Sequence, residues 1–248
     1  MPYFTHGGRR LYYRERGAGA PLLILPGNTA SSACHAGELE HFGARYRAAA
    51  LDLPGTGLSE RLEDWPRDWW AAGAAAAAGL IEHLGEGPAV VVGTSGGAAV
   101  ALLLAIGWPE RVRAVVADSV VARIPPAPLR ALLAGRAERS AGQEAFWRAA
   151  HGDDWAHVVD ADTAMLASFL GTGIDYFGGR LGQVGCPALL IASLADPLLP
   201  DVGPQLLAMA QAIPRSRLFL ASAGDHPLMW SRPAEFRAVA DAFLSSCL

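Results

Sequence analysis

The stretch that decides the fold runs Pro88-Ala89-Val90-Val91-Val92-Gly93-Thr94-Ser95-Gly96-Gly97-Ala98-Ala99-Val100-Ala101-Leu102-Leu103-Leu104-Ala105-Ile106. Its first part is a continuous valine-rich run, the pattern of a strand covered on both faces. Its last part is an uninterrupted small-and-apolar run compatible with a buried helix. Gly93 to Gly97 must therefore turn the chain from strand to helix within a few residues. Such a turn holds its central residue in a strained backbone conformation and projects that side chain outward. Residues two before and two after Ser95 have to be small, because side chains there would collide; Gly93 and Gly97 meet that demand. The uncharged run from Ala89 to Trp108 is long enough to span a bilayer. Its four glycines, its Thr-Ser pair and its switch from valine to alanine and leucine instead favour strand, turn and helix.

Working outward, similar apolar runs recur at Leu22 to Leu25, Tyr46 to Leu51, Val112 to Ala117, Ala188 to Ala192 and Leu218 to Leu220. Their continuous character predicts central strands of a mostly parallel sheet. Tyr3 to Arg16, broken by Gly7-Gly8, reads as an antiparallel hairpin on the sheet's edge. Helix-compatible stretches lie between: Trp69 to Leu84 with its alanine run, Pro204 to Ile213, and Pro233 to Leu244. The alternation predicts an α/β fold, a mostly parallel twisted sheet with helices on both faces. Residues 1–122 and 183–248 form that core. Residues 123–182 break the rhythm: they open with Pro125-Pro126-Ala127-Pro128 and offer no convincing strand, so they read as a helical insertion over one end of the sheet. Its Phe146, Trp147, Trp155, Phe169, Tyr176 and Phe177 either form its own core or line a pocket.

Composition sets bounds on function. With 52% apolar and 18% charged residues, the 248-residue chain has ample material for one large doubly covered core. A net charge of −4 gives no electrostatic reason to expect nucleic acid or an anionic membrane as a partner. Cys34, Cys186 and Cys247 fit neither a disulfide framework nor a metal-ligand spacing, and no basic segment followed by a long apolar run opens the chain. A reducing, cytoplasmic setting is expected.

The residue presented by the turn at 93–97 is a serine, a poor nucleophile unless a base removes its proton. Of the seven histidines, His226 sits just after the last strand and before the terminal helix, on the sheet edge where Ser95 must lie. A base needs an acid to orient it. Asp196, after the run Leu189 to Ala195, is the favoured candidate; Asp118, after Val115-Val116-Ala117, is the alternative. An oxyanion would need two backbone donors. Gly96, directly after Ser95, supplies one; the other comes from the loop Pro26-Gly27-Asn28-Thr29-Ala30-Ser31, through Asn28 first and Thr29 second.

Taken together, these features resemble the α/β-hydrolase superfamily over essentially the whole chain. The order of Ser95, Asp196 and His226 is the one that fold uses, and Asp52-Leu53-Pro54-Gly55-Thr56-Gly57-Leu58-Ser59 is similar to a structural turn of the family. The resemblance implies that 123–182 is a cap shaping the pocket. It also implies acyl transfer to water on a small-molecule substrate, most simply an ester, with no metal or organic cofactor. The same triad in that family also cleaves carbon–carbon bonds, forms peracids or transfers acyl groups, and a ligand-binding module with vestigial hydrolysis is the alternative of another class. Ser95 stands where epoxide hydrolases and haloalkane dehalogenases have aspartate, Pro26-Gly27 replaces the frequent His-Gly, and the His-Gly-Gly-Pro-Gly signature of proline iminopeptidases is missing. Gly96, where a bulkier residue is common, is expected to leave room beside the serine.

Overall fold

The computed structural model describes residues 2–247. Its strands are β1 (Tyr3–His6), β2 (Arg9–Arg16), β3 (Pro21–Leu25), β4 (Arg47–Leu51), β5 (Ala89–Thr94), β6 (Val112–Asp118), β7 (Arg123–Ile124), β8 (Ile174–Asp175), β9 (Ala188–Ser193) and β10 (Ser216–Ala221). Its helices are α1 (Ala36–Gly43), α2 (Trp69–Leu84), α3 (Gly96–Gly107), α4 (Pro126–Ala137), α5 (Ala141–His151), α6 (Trp155–Ala167), α7 (Val202–Ala212), α8 (Leu228–Ser231) and α9 (Pro233–Cys247).

Eight strands form one sheet in the order β1-β2-β4-β3-β5-β6-β9-β10. The hairpin β1–β2 is antiparallel and occupies one edge; from β4 to β10 all pairings are parallel. The continuous apolar runs are explained by strand parity, since successive side chains point to opposite faces. Leu23, Leu25, Val91, Val115 and Leu190 join the core with α2 and α3, whereas Leu22, Ile24, Val92, Val116 and Ile191 face Phe236, Phe243 and Leu244 of α9. The uncharged run at 89–108 is β5, a turn and α3, and no helix among the described residues is long and apolar enough to cross a membrane. Helix α2 stops where Gly85 adopts a left-handed φ of 74° and donates its N–H to Ile81 O.

Between β6 and β9 the chain leaves the sheet and builds α4, α5 and α6. One detail departs from the sequence reading of this insertion. A two-residue antiparallel pair, Arg123 with Asp175 and Ile124 with Ile174, ties its two ends together. A pair this short leaves no periodicity to read. The insertion's aromatics divide between the two roles foreseen. Trp147 and Trp155 stack with ring centroids 5.6 Å apart in a small cluster with Val159, and Phe177 is buried in the main core. Trp147 and Tyr176 also line a cavity beside Ser95, and Phe146 lines a second one.

Because β3, β5, β6, β9 and β10 are parallel, the loops after them emerge at the same sheet edge. Those loops carry Asn28, Ser95, Ser119, Asp196 and His226 respectively.

Candidate active site

Ser95 lies between the end of β5 and the start of α3 with φ 54° and ψ −126°, a conformation that L-residues rarely adopt. Its N–H donates to Asp118 O at 2.8 Å. The small-residue requirement is steric and severe: a Cβ on Gly93 would lie 2.3 Å from Gly97 O, and one on Gly97 would lie 2.1 Å from Leu25 O. The turn therefore packs against the neighbouring β3 as well as against itself.

The loop after β10 delivers His226 to this turn. Ser95 Oγ and His226 Nε2 are 2.9 Å apart, and His226 Nδ1 is 2.7 Å from Asp196 Oδ2. A carboxylate can only accept, so Nδ1 carries the proton and Nε2 presents its lone pair to the serine hydroxyl. Asp196 is held in turn, its Oδ1 accepting the Leu198 N–H at 2.9 Å. Of the two acids considered from sequence, Asp196 is the one that bonds the imidazole.

Asp118 lies at the end of the neighbouring strand and bonds other groups. Its Oδ2 accepts from Thr94 Oγ1 at 3.0 Å and from the Met229 N–H at 3.1 Å; its Oδ1 accepts from Ser119 Oγ at 2.9 Å. Ser119, itself at a positive φ of 54°, accepts the Leu228 N–H through the same hydroxyl. Asp118 and Ser119 thus tie the backbone after His226 to the residue before Ser95. Complete burial pushes the Asp118 carboxyl up to about 6, against the lowering effect of the hydrogen bonds it accepts and of nearby His226. Leu228 is fully buried, whereas Trp230 packs against the core and also lines the cavity on the His226 side.

Among the described residues no hydrogen bond takes up the backbone N–H of Asn28 or Gly96. The Asn28 carboxamide is fully engaged: Nδ2 donates to Asp162 Oδ1 at 2.5 Å, and Oδ1 accepts from Trp70 Nε1 at 3.1 Å. A Cβ on residue 96 would stand 1.8 Å from Asn28 Oδ1. The room expected beside the serine is therefore already filled by that carboxamide; glycine at 96 makes space for Asn28, not for substrate.

Sequence reasoning missed the partners of this loop. Asp162, on α6, is fully buried and ion-paired with Arg136 of α4. His151, at the end of α5, is 4% exposed; its Nδ1 accepts the Gly57 N–H at 3.0 Å, so Nε2 holds the proton and donates to Thr29 O at 2.9 Å. Burial of that ring, followed by the charge of Arg61, pulls its pKa down to about 4 although the Thr29 bond opposes this. Asp52 keeps the structural role expected of it, its two oxygens accepting the N–H groups of Ser32 at 2.6 Å and Leu58 at 2.7 Å. A signal for Asp162 did exist. It shares helical spacing with Val158, Val159, Met165 and Leu166, so a carboxylate stands on the buried face of α6.

Two cavities meet at Ser95. One, about 440 Å³, has apolar walls from Val120, Val121, Ile124, Leu129, Leu132 and Leu166 and polar ones from Arg136, Glu138 and Gln143. The other, about 420 Å³, is bounded by Ala30, Phe146, Leu198, Pro227 and Trp230. Asn28, Ser95 and His226 border both.

The chain is similar to known proteins over most of its length. Residues 22–239 match the family described as the alpha/beta hydrolase family. A putative carbamate hydrolase, RutD, of Azorhizobium caulinodans is 29% identical over 268 residues, covering 95% of each chain. Among solved structures, the enol-lactonase of Burkholderia xenovorans LB400 superposes with a TM-score of 0.78 at 19% identity, over 98% of this chain and all of that one. A thermophilic esterase of Thermogutta terrifontis gives 0.77 at 20% identity, over all of this chain and 97% of that one. At such identities the two structures speak to the fold alone. The chain belongs to the α/β hydrolase family.

Proposed function

Starting from that membership, we propose that the chain is a serine hydrolase that cleaves carboxylic esters of small, largely apolar substrates through an acyl-enzyme. The observation that carries this reading is the hydrogen-bonded chain from Ser95 Oγ through His226 to Asp196, at 2.9 and 2.7 Å. His226 Nε2 takes the Ser95 proton as Oγ attacks the carbonyl carbon. Asp196 stabilises the imidazolium that results, and the Asn28 and Gly96 amides bind the oxyanion. His226 then returns the proton to the departing alkoxide. Water attacks the acyl-enzyme by the same route, releasing acid and free serine.

The two cavities give the ester its two sides. The leaving group must lie beside His226 Nε2, which borders both cavities, and we assign it to the one walled by Pro227 and Trp230, which follow that histidine in the chain. The other cavity, which pairs an apolar wall of Val120, Val121, Ile124, Leu129, Leu132 and Leu166 with the polar Arg136, Glu138 and Gln143, takes the acyl chain. The 123–182 segment acts as the cap of this site. Its Leu129, Leu132 and Leu166 supply much of the acyl wall, so it sets chain length.

Labelling with a fluorophosphonate, on wild type, Ser95→Ala and His226→Ala, tests the reading. Only wild type should label, and Ser95→Ala should lower turnover of p-nitrophenyl butyrate by about 10⁵- to 10⁶-fold. Retention of a tenth of the activity removes Ser95 from its role. A parallel panel of aryl carbamates follows from the relative described as a carbamate hydrolase. Faster turnover there than on matched esters would move the scissile bond from ester to carbamate while leaving the machinery in place.

A further inference from the structure

The loop proposed to donate one oxyanion amide is tied to the insertion far more than to the core beneath it. Asn28 Nδ2 donates to Asp162 on α6; Trp147 Nε1 donates to Thr29 Oγ1 at 3.3 Å; His151 Nε2 donates to Thr29 O; and Ser31 Oγ donates to Ala150 O at 2.7 Å. Side chains of α5 and α6 thus reach Asn28 and Thr29, and the α5 backbone receives Ser31. From the core, the side-chain tie to Asn28 is Trp70 Nε1 on its Oδ1.

The loop also needs holding. Thr29 is β-branched and sits at φ 58°, a strained conformation that persists only where the surroundings impose it. Trp147 and His151 grip that residue on its hydroxyl and its carbonyl. One residue earlier, the Asn28 carboxamide is fixed at both ends, with its nitrogen on a carboxylate and its oxygen on an indole N–H. Swapping the two would face the amide nitrogen toward a donor and the oxygen toward an acceptor, so its orientation is set. Asp162 has no solvent to sustain its charge, and Arg136 supplies the counter-charge. Arg136 also keeps a bare carboxylate from opposing the negative charge that develops on the substrate oxygen nearby.

We infer that Asp162, paired with Arg136, is a positioning residue of the hydrolytic site, acting through the Asn28 side chain to aim the residue 28 amide. The oxyanion hole is then complete only with the insertion seated on the loop. This rests on the serine-hydrolase reading above and extends it, giving the insertion a part in transition-state stabilisation in addition to its part in walling the pocket.

The test compares wild type with Asp162→Asn, Asn28→Ala, their double variant, and Asp162→Leu/Arg136→Met. The last removes both charges, so no unpaired guanidinium is left behind, and it guards against a failure of Asp162→Asn to fold. Turnover of p-nitrophenyl butyrate and affinity for phenylboronic acid, which forms a tetrahedral adduct on an activated serine, are the two readouts. Losing a donor outright costs about 10²- to 10³-fold, so misaiming one should lower kcat by about 10- to 100-fold, with KM held within about threefold. Boronate affinity should fall by a similar factor. A residue that only anchors the insertion would move KM and thermal stability and leave boronate affinity unchanged. The double variant should be no slower than the slower single one, because both substitutions break one coupling. Multiplying losses, or single variants within about twofold of wild type, overturn the inference while leaving the serine-hydrolase reading intact. A wild type that neither labels with fluorophosphonate nor turns over any ester overturns both.

Discussion

The serine side of the site and its oxyanion side are held in opposite ways. On the serine side the ties run within the core. Ser95 N–H meets Asp118 O, the Asp118 carboxylate accepts from Thr94 and Met229, and Ser119 accepts the Leu228 N–H. Thr94, Ser95, Asp118 and Ser119 sit at or just beyond the ends of β5 and β6, so sheet register places them, and Leu228 and Met229 join them from α8. On the oxyanion side the ties cross from the 26–31 loop to α5 and α6, more than 100 residues along the chain. On the proposed mechanism, the attacking groups are therefore built on the ends of the central sheet's strands. The amides proposed to receive charge lean on a segment that also walls the cavity beside Ser95. On this view, disturbing the first side should abolish chemistry, and disturbing the second should grade it.

The largest effect that can break this comparison sets the two aspartates against each other. Asp196→Asn should cost about 10⁴-fold in kcat, because an amide can no longer hold the Nδ1–H tautomer of His226. Asp118→Asn keeps that acid and loses part of a backbone tether, so a loss of about tenfold or less is expected. Steady-state kinetics on one activated ester measures both. Comparable losses would mean that Asp118 shares the role given to Asp196.

A middle-sized effect is expected at Gly96. Gly96→Ala places a methyl where the Asn28 carboxamide lies and should lower kcat by about 10- to 100-fold, the range expected for a misaimed donor. Adding Asn28→Ala removes the nearer obstacle and leaves Trp70 Nε1 at 3.1 Å, a contact that a shift of a few tenths of an ångström relieves. The double variant should then be no worse than Asn28→Ala alone, measured on the same ester. A further drop in the double variant would place the damage in the turn at Ser95 instead of at Asn28.

The same division governs what could be read from sequence. Ser95, His226 and Asp196 each follow an apolar run that ends in a turn, so strand ends could be found and the order of residues along the chain did the rest. Choosing between Asp196 and Asp118 needed the aim of a side chain. Both follow equally good strands, and only the folded loop shows which faces the imidazole. The insertion was legible as a break in the rhythm but not in its contacts. Asp162 reaches Asn28 across 134 positions, and no local pattern specifies such a pairing. Gly96 shows the limit most clearly. Its smallness was visible, yet the occupant of the space beside it was a side chain from another loop.

The smallest net effect is expected in stability against pH, where the two sides oppose each other. His151, on the oxyanion side, has its pKa pulled from 6.5 to about 4 in the fold. The unfolded chain then binds the extra proton, so this group's contribution is present above 6.5 and is lost as pH falls toward 4, about 3 kcal/mol in all. Asp118, on the serine side, is pushed from 3.8 to about 6. Here the folded chain binds the extra proton, so the contribution is present below 3.8 and is lost as pH rises through 6, again about 3 kcal/mol. Between pH 4 and 6 the two slopes nearly cancel, and together they should leave the wild-type Tm almost unmoved. Single substitutions uncover them. Relative to wild type, the Tm of Asp118→Asn should worsen as pH falls from 7 to 4, whereas that of His151→Gln should improve over the same range. Thermal melts at half-unit pH steps would show two difference curves of opposite slope. Curves that run parallel would mean that these two buried groups do not titrate apart, and the electrostatic contrast between the two sides of the site would be lost.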